Sequence, residues 1–222
     1  MGTIRPADRA KRANVIPRAS VSLVQKYDAA YTAKKDYVAR PNAFLDECLR
    51  RIAPKRTSRR KRRALDIGLG QGRNAMLLAK RGYLTTGIDR SEVGVSVARH
   101  LAATRGLSIS AIVADAQQHD FGCNRWDLIV LLYYPNPMIL MRRLKDAVRP
   151  GGYIVVERFS RPKAANAHDR RETKRASPML RCFLDWRVLH YENNEFESDW
   201  HWNGKSPTGA IVRLLARKPS RR

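Results

Sequence analysis

The sequence predicts one α/β domain in which helices cover both faces of a mostly parallel sheet. From Ala64 to Glu157, short apolar segments alternate with segments whose apolar residues recur at helical spacing. Parallel strands and their crossover helices produce this pattern. Farther along, two strand-like segments, residues 187–202 and 210–216, are separated by Asn203-Gly204-Lys205-Ser206-Pro207. This separation predicts an antiparallel hairpin at the edge of the sheet. The expected fold class is therefore a three-layer sandwich around a seven-stranded sheet.

The predicted elements of the central part follow one another closely. Five strands are expected at residues 64–67, 84–88, 109–114, 128–133 and 153–157, each apolar enough to be buried on both faces. Helices are expected at residues 73–81, 91–105, 138–148 and about 179–184. Ser91 is the expected cap of the second of these helices, and Gly82 and Gly106 are expected to end the first two. Pro150-Gly151-Gly152 predicts a turn before the fifth strand.

Two basic segments precede this domain. Residues 1–26 are rich in Arg and lack an apolar stretch, so we expect a flexible basic segment. Residues 27–63 are expected to form a helical lid and a basic connector. The helix spans residues 42–52 after Pro41, and the connector is the run Lys-Arg-Thr-Ser-Arg-Arg-Lys-Arg-Arg at residues 55–63. The main domain is then expected to occupy residues 64–218.

Composition limits the classes of protein to which this chain can belong. Its 222 residues carry 44 Lys+Arg against 20 Asp+Glu, a net charge of +24, which attracts nucleic acid and other anions. A hydrophobic fraction of 43% excludes a wholly disordered chain. The sequence contains no run of 18 apolar residues, so no membrane-spanning helix is predicted. Three widely spaced cysteines indicate neither a disulfide framework nor a zinc site. We expect a cytoplasmic protein, although the Arg-rich N-terminus also fits a mitochondrial transit peptide.

The clearest chemical signal is a glycine-rich loop between the first predicted strand and helix, Asp66-Ile67-Gly68-Leu69-Gly70-Gln71-Gly72. Glycines let a backbone approach a ligand closely, and the following helix N-terminus favours a polar or negatively charged group. A dinucleotide fingerprint would place its last glycine at Arg73, so NAD is disfavoured. Asp89 ends the second strand, where a carboxylate can accept hydrogen bonds from both hydroxyls of a ribose. An adenosine-bearing ligand is therefore expected.

Five segments in order carry a family resemblance: ALDIGLGQGRNAMLLAKRGY, TGIDRS, VADAQQHDF, WDLIV and VRPGGYIVVE. They resemble the successive motifs of class I S-adenosylmethionine-dependent methyltransferases, which have a Rossmann-like fold. The resemblance covers roughly residues 27–218. Within the class, GQGRNAMLLAKRGY and the upstream YDAAYTAKKDYVARPNAFL are most similar to the tellurite-resistance and thiopurine type, whose members methylate small molecules.

The resemblance implies S-adenosylmethionine as the cofactor and assigns the residues that hold it. The methionine moiety would lie against the three loop glycines, with Asp66 organising the loop and the amine of the cofactor. The ribose would lie on Asp89, and the adenine would lie beside Asp115 and Ala116. The predicted cofactor-binding set is Asp66, Gly68, Leu69, Gly70, Gly72, Asp89, Arg90, Asp115, Ala116 and Leu131. On the residues alone, Asp66 could also simply cap the loop, and Asp115 could be an ordinary strand-end carboxylate.

The methyl-donor side of the site is expected after the fourth strand, where the resemblance places Leu131 and Leu132. A soft acceptor such as sulfur, selenium or tellurium needs mainly positioning and exclusion of water. An oxygen or nitrogen acceptor needs a proton acceptor nearby, and Tyr133, Tyr134 and His168 are the positional candidates. The catalytic residues stay unassigned, and no histidine spacing indicates a metal site.

Three functions are compatible with these observations. The leading hypothesis is methyl transfer to a small molecule, because the catalytic fold consumes nearly the whole chain. The alternative is an RNA or DNA methyltransferase whose basic flank holds phosphates. The third is a cofactor-binding or basic interaction module without turnover. Tyr27, Tyr31 and Tyr37 would form either a lid over the acceptor or aromatic packing at the sheet edge. The sequence specifies no oligomeric state.

Overall fold

The computed structural model describes residues 18–33, 40–52, 60–159, 178–197 and 208–220. Within these ranges seven strands form one sheet. They are β1 (Arg63–Ile67), β2 (Leu84–Asp89), β3 (Ile109–Val113), β4 (Trp126–Leu132), β5 (Val148–Phe159), β6 (Arg187–Glu197) and β7 (Thr208–Arg217). Their order across the sheet is β3-β2-β1-β4-β5-β7-β6. The seven-stranded α/β fold predicted from the sequence is therefore confirmed.

The described helices pack on this sheet or at its ends. They are α1 (Arg18–Thr32), α2 (Ala43–Arg51), α3 (Arg73–Lys80), α4 (Glu92–Thr104), α5 (Met141–Ala147) and α6 (Pro178–Arg181), with a 3₁₀ turn at Pro137–Leu140 before α5. Two helices begin at side-chain caps: Asn42 accepts a hydrogen bond from Leu45 N, and Ser91 accepts one from Gly94 N. In the part of the chain that the structure describes, no helix has the length and apolarity needed to cross a bilayer.

The strand directions define two edges that matter for function. Strands β1 to β5 are parallel, and β7 lies antiparallel between β5 and the edge strand β6. We call the edge at which the parallel strands end the C-terminal edge, and the edge at which they begin the N-terminal edge. The predicted hairpin is present, whereas its connection, residues 203–207, lies outside the described residues.

Alternating residues of the central strands build two cores, one on each face of the sheet. On one face, Leu65, Ile129 and Ile154 pack with α5 and α6 residues such as Leu144 and Met179. On the other face, a second cluster joins the alternate strand residues to α2 and α3; it includes Ala64, Leu128, Val130, Val155, Leu45 and Leu78. The central strands are therefore buried on both faces, as parallel strands between helical layers must be.

Three local predictions were wrong, each for a physical reason. Strand β3 is largely exposed rather than buried on both faces, because it lies at the edge of the sheet. Pro150-Gly151-Gly152 is a bulge inside β5 instead of a turn before it: β4 pairs Trp126 with Val148 but Leu128 with Tyr153, and Gly151 has φ +77°. The N–H of Gly151 and the carbonyl of Gly152 bond to Lys218, which directly follows β7. The helix predicted at 138–148 is divided into the 3₁₀ turn and α5, after Asn136 in a left-handed conformation.

The N-terminal part also differs from its prediction. Helix α1 begins at Arg18, so the predicted boundary between a flexible segment and a lid at residues 26 and 27 falls within one helix. Residues 1–17 and 53–59 lie outside the described residues, and the second range includes residues 55–59 of the basic connector. Helix α2 agrees with its prediction and begins after its cap Asn42.

Candidate functional site

A cavity of about 1010 Å³ opens at the C-terminal edge of the sheet. Its walls are the glycine loop between β1 and α3, the end of β2, the loop after β4, parts of α3 and α4, and one face of α1. Strand order reverses between β1 and β4, and open α/β sheets bind ligands outside the strand ends at such a switch point. The volume is that of a site for a cofactor-sized ligand.

The glycine loop has a conformation that only glycine adopts readily. Gly68, Gly70 and Gly72 have φ angles of +80°, +52° and +82°. A Cβ on Gly68 would lie 3.4 Å from Cδ2 of Tyr134, and a Cβ on Gly70 would lie 2.9 Å from Oη of Tyr31. These two glycines line the cavity. The structure does not bring Gly72 into the wall, because its Cα faces Ala98 of α4, where a Cβ would lie at 2.9 Å.

Leu69, the bulky residue in the middle of the loop, fits because β2 offers it a glycine. A Cβ on Gly87 would lie only 2.4 Å from Cδ1 of Leu69, so the leucine side chain occupies the space that a side chain on β2 would need. Leu69 is buried against Ala75 and Val95 and also lines the cavity. The leucine at this position is therefore accommodated by packing on Gly87, and the role predicted for Leu69 in cofactor binding depends on its backbone.

The backbone N–H groups of the loop donate to the protein itself. Those of Gly68 and Leu69 donate to the carbonyl of Ile88, at 3.0 and 2.9 Å, and that of Gly70 donates to Oδ2 of Asp89 at 2.8 Å. In the first turn of α3, the N–H of Ala75 donates to the Asp66 carboxylate. The expectation that this helix start attracts an anion is therefore not supported, because a protein carboxylate already occupies it.

Asp89 lies where its sequence position predicted, at the end of β2 in the cavity wall. Its two carboxylate oxygens accept hydrogen bonds from the N–H groups of Gly70 and Ser91. Each carboxylate oxygen has a further lone pair, so both can still accept from a ligand hydroxyl. Burial raises the pKa of Asp89 and the Asp28 carboxylate raises it further, while the backbone N–H donors act against this rise.

Asp66 lies beneath the loop rather than in the wall. Asp66 is 1% exposed, and its Oδ2 has no hydrogen-bond partner among the described residues. Burial raises the pKa of this carboxyl to about 8, although Arg73 acts in the opposite direction. An unsatisfied buried carboxylate oxygen is costly, and a cationic group near the loop would stabilise its charged form.

The end of the cavity beyond Asp89 is lined by both small and long side chains. Ala116, Gln117 and Arg90 line it. The Asp115 carboxylate does not line it, because Oδ1 accepts from Gln117 N at 2.9 Å and Oδ2 lies 3.8 Å from Nε of Arg90. Of the predicted adenine neighbours, the structure therefore brings Ala116 to the cavity and leaves Asp115 at its rim, paired with Arg90.

The loop after β4 forms the opposite wall. Leu132, Tyr133 and Tyr134 line the cavity, whereas Leu131 is fully buried in the core. The prediction of Leu131 as a lining residue was wrong because successive residues of a strand face opposite sides of the sheet. Tyr133 has a left-handed backbone with φ +54°, an uncommon conformation for an aromatic residue. The third candidate proton acceptor, His168, lies outside the described residues.

Helix α1 covers the site. The sequence had left open whether its tyrosines form a lid or pack at the edge of the sheet. Val24, Tyr27 and Tyr31 line the cavity, and the two tyrosine rings stack with centroids 6.0 Å apart. Asp28 accepts a hydrogen bond from the hydroxyl of Ser91. The spacing of Val24, Tyr27 and Tyr31 is that of one helical face, and this was the signal available in the sequence. Tyr37 lies outside the described residues.

These residues fit the cofactor that the resemblance implies. Asp89 keeps acceptor capacity for ribose hydroxyls, the left-handed glycines leave room that any Cβ would fill, and the unpartnered oxygen of Asp66 suits a nearby amine. The predicted residues that line the cavity are Gly68, Leu69, Gly70, Asp89, Arg90 and Ala116. The remaining four, Asp66, Gly72, Asp115 and Leu131, lie behind or beside it.

Comparison with known proteins identifies a domain within the chain. Residues 64–152 match the family model for a methyltransferase domain. The ubiquinone biosynthesis O-methyltransferase of Aeromonas salmonicida is 32% identical over 109 residues, which are 46% of this chain and 46% of that protein. That of Shewanella pealeana is 30% identical over 105 residues, 45% of this chain and 44% of that protein. The match thus spans somewhat less than half the length of these relatives.

Solved structures share the fold over a longer stretch. TehB from Haemophilus influenzae superposes with a TM-score of 0.63 at 22% identity, covering 86% of this chain and 67% of TehB. The [4+2]-cyclase SpnF superposes with a TM-score of 0.64 at 16% identity, covering 90% and 96% of the two chains. At these identities the likeness establishes the fold, and the presence of a cyclase among the neighbours means that the fold alone does not define a reaction.

Proposed function

We propose that this chain, whose residues 64–152 form a class I S-adenosylmethionine-dependent methyltransferase domain, transfers the methyl group of that cofactor to a small-molecule acceptor. The single observation that carries the proposal is the composition of the cavity wall. The glycine loop and Asp89 face an aromatic wall formed by α1 and the loop after β4. One cavity therefore offers a polar end for a cofactor and an apolar end for an acceptor.

The chain's own residues would bind and orient both reactants. S-adenosylmethionine, when bound, supplies an electrophilic methyl group on a positively charged sulfur. Asp89 would accept hydrogen bonds from the ribose, and the loop glycines would admit the methionine moiety. Tyr27 and Tyr31 would exclude water from above the loop, which strengthens positioning in the closed site.

The acceptor we favour is an aromatic or otherwise apolar small molecule. Leu132, Tyr133 and Tyr134 present apolar and aromatic surface to the cavity, which suits a flat ring. The matched relatives are named for O-methylation in ubiquinone biosynthesis, and this supports a hydroxyl on such a ring as the first class to test. A hydroxyl must lose its proton to a base. Burial raises the pKa of Tyr134 and keeps its phenol protonated at neutral pH, so Tyr134 can orient the acceptor hydroxyl by a hydrogen bond while the proton passes to solvent.

The alternative, a nucleic acid methyltransferase that grips phosphates beside the pocket, has the net charge of +24 in its favour. The part of the basic connector that the structure describes, Arg60 to Arg63, lies at the start of β1. The cavity lies at the other end of the same strand. The basic run is therefore badly placed to hold a nucleic acid whose base enters the cavity, and we rank this alternative second.

The proposal is tested by measuring release of S-adenosylhomocysteine with four acceptor classes in parallel. The probes are 3,4-dihydroxybenzoate, 4-nitrothiophenol, tellurite and a 24-nucleotide RNA of mixed sequence. We expect turnover with at least one small molecule and none with the RNA. Turnover on the RNA without turnover on any small molecule would reverse the ranking.

A further inference from the structure

The N-terminal edge of the sheet carries a concentration of positive charge that methyl transfer does not explain. The basic residues there stand before and at the start of β1, before β4, near the starts of β5 and β6, and at or directly after the end of β7. They are Arg60, Lys61, Arg62, Arg63, Arg125, Arg149, Arg187, Arg217 and Lys218. We call these nine residues the basic edge.

Acidic side chains at this edge do not balance the charge. Asp127 is already engaged, since it accepts hydrogen bonds from the Arg60 guanidinium and from the backbone N–H of Arg63. Asp185 pairs with Lys145 of α5. In the described segments next to the basic edge this leaves Asp120, in the loop before β4, and Asp146, an exposed residue of α5. Two carboxylates do not balance the remaining basic residues. The basic edge therefore has a large net positive charge.

Two of these arginines are placed against each other. Arg187 at the start of β6 and Arg217 at the end of β7 are direct cross-strand partners, and like charges in this relation destabilise a sheet. Within the described chain neither guanidinium has an ion-pair partner. An anion bound at this edge would remove the repulsion.

Several guanidinium groups of the basic edge are held in place by aromatic rings. Arg62 lies over Tyr83 with its Cζ 4.5 Å from the ring centroid, Arg125 lies over Trp126 at 5.0 Å, and Arg217 lies over Tyr153 at 5.6 Å. Stacking fixes the orientation of a guanidinium. Arg62 and Arg217 also donate one N–H each to a backbone carbonyl, that of Ile52 at 3.4 Å and that of Gly151 at 3.1 Å, and a guanidinium has five N–H donors, so others remain for an anion. Preorganised arginine forks match the geometry of phosphate oxygens better than lysine does.

We propose that the basic edge binds the phosphate backbone of nucleic acid, independently of sequence and away from the methyl-transfer site. From β1 to β6 the edge spans four strand spacings, about 19 Å, which is the span of five or six phosphates along one strand at about 3.4 Å each. The five-residue strand β1 alone separates this edge from the cavity by about 13 Å. The bound nucleic acid is therefore a tether and not the methyl acceptor.

An anionic membrane is the weaker partner for this surface. Peripheral proteins reinforce their charge attraction by inserting apolar side chains into the bilayer interface. The large exposed apolar residues near this edge in the described chain are Leu84 on the β2 side of the sheet and Leu184 and Leu189 on the β6 side. The two sides are about five strand spacings apart, roughly 24 Å, so these three residues form no single contiguous patch.

The test is fluorescence anisotropy of a labelled 24-nucleotide RNA against the full chain at several salt concentrations. The variant is Lys61→Ser, Arg149→Ser and Arg187→Ser combined, three basic residues for which the structure records no side-chain hydrogen bond or ion pair. The matched control is Lys26→Ser, Arg40→Ser and Arg142→Ser combined, which removes the same charge from exposed residues on the cavity side.

We expect the first variant to bind the RNA at least tenfold more weakly at 100 mM salt. The slope of log affinity against log salt should fall by about 2, or about 0.7 for each lost contact with a single strand. For the control variant, the slope should fall by less than half as much. Both variants should bind S-adenosylmethionine as the unchanged chain does. A labelled 24-base-pair DNA should also bind.

Three results would overturn the proposal. Equal weakening by both variants would show that diffuse net charge, and not this edge, attracts the RNA. Binding to phosphatidylcholine–phosphatidylserine vesicles in a ratio of 7:3, without binding to RNA or DNA, would assign the edge to membranes. Incorporation of labelled methyl groups into the RNA would make it a substrate and not a tether. Absence of turnover on small molecules would not affect these outcomes, so the proposal stands or falls separately from the proposed activity.

Discussion

Gly70 combines two constraints that a side chain would violate separately. Its φ of +52° disfavours any residue with a Cβ, and Oη of Tyr31 lies 2.9 Å from where that Cβ would stand. Gly82 provides the comparison, because it has φ +83° but nothing within 4 Å of its Cβ position. The two glycines therefore separate backbone strain from crowding at the cavity.

Gly70→Val is expected to abolish cofactor binding, since the side chain must intrude on the ligand or displace Tyr31. Gly82→Ala is expected to cost about 1 kcal/mol of stability through strain and to leave cofactor affinity within twofold. Calorimetric titration with S-adenosylhomocysteine and a thermal melt of each variant distinguish the two effects. A folded Gly70→Val variant with normal affinity would show that the loop does not hold the cofactor.

Asp89 is expected to contribute to cofactor binding through the charge of its carboxylate as well as through its position. Asp89→Ala should weaken cofactor binding by about 1 to 3 kcal/mol, the usual loss for a charge-assisted hydrogen-bond acceptor, while the fold survives. Asp115→Ala is the matched control, because that carboxylate lies at the rim and faces Arg90. Equal losses in the two variants, measured by calorimetry, would remove the special role of Asp89.

Asp66 makes stability depend on pH in a predictable direction. The unfolded carboxyl titrates near its ordinary value of about 4, whereas burial raises the folded pKa to about 8. Between these values the folded state binds more protons than the unfolded state, so the free energy of unfolding falls as pH rises from about 4 to about 8 and then levels off.

Asp66→Asn removes this titration and should flatten the decline. The measurement is urea unfolding of the two proteins at pH 5, 6, 7 and 8, compared as the difference between them. The unfolding free energy of the Asp66→Asn variant minus that of the unchanged chain should rise steadily from pH 5 to pH 8. Parallel profiles would mean that Asp66 is already ionised in the folded chain.

At the scale of elements, α1 connects the N-terminal part of the chain to the site. Tyr31 packs on the glycine loop and on Gly94 of α4, where a Cβ would lie 2.9 Å from its ring. Tyr31→Ala should therefore weaken cofactor binding, mainly by accelerating dissociation, because the loop loses its cover. Tyr31→Phe keeps the ring and should behave nearly as the unchanged chain. Stopped-flow displacement of the cofactor measures both rates, and equal rates in the alanine and phenylalanine variants would contradict a covering role.

The sequence was most informative where the pattern was local and strong. The Gly68–Gly72 loop, the cap Ser91 and the end of β2 at Asp89 were all predicted, because backbone conformation and helix starts depend on nearby residues. The sequence also predicted that these features lie together at one edge, since parallel strands end on the same side of a sheet. The cap Asn42 was not predicted, although the helix that follows it was.

Other features depend on contacts that a linear pattern does not contain. Pro150-Gly151-Gly152 has the composition of a turn, yet backbone hydrogen bonds to Lys218, more than sixty residues later, hold it as a bulge within β5. Leu131 and Leu132 are identical in type, and only the pleat of β4 decides which one reaches the cavity. Helix α1 was missed because its apolar face spans only two turns within a basic segment.

At the scale of the whole molecule, the sheet separates two kinds of chemistry. The C-terminal edge holds the cavity, the glycine loop and the aromatic wall. The N-terminal edge holds an excess of arginine with few acidic partners. The net charge of +24 therefore does not by itself identify the substrate, because an important part of that charge lies at the opposite end of the strands from the cavity.

The central claim is that the cavity binds S-adenosylmethionine in preference to a nicotinamide dinucleotide. The most direct measurement is calorimetric titration of the full chain with S-adenosylmethionine, S-adenosylhomocysteine and NAD under the same conditions. We predict one-to-one binding of the first two and no measurable binding of NAD, because Arg73 stands where a dinucleotide fingerprint requires its last glycine. Binding of NAD with an affinity comparable to that of S-adenosylmethionine would contradict the assignment.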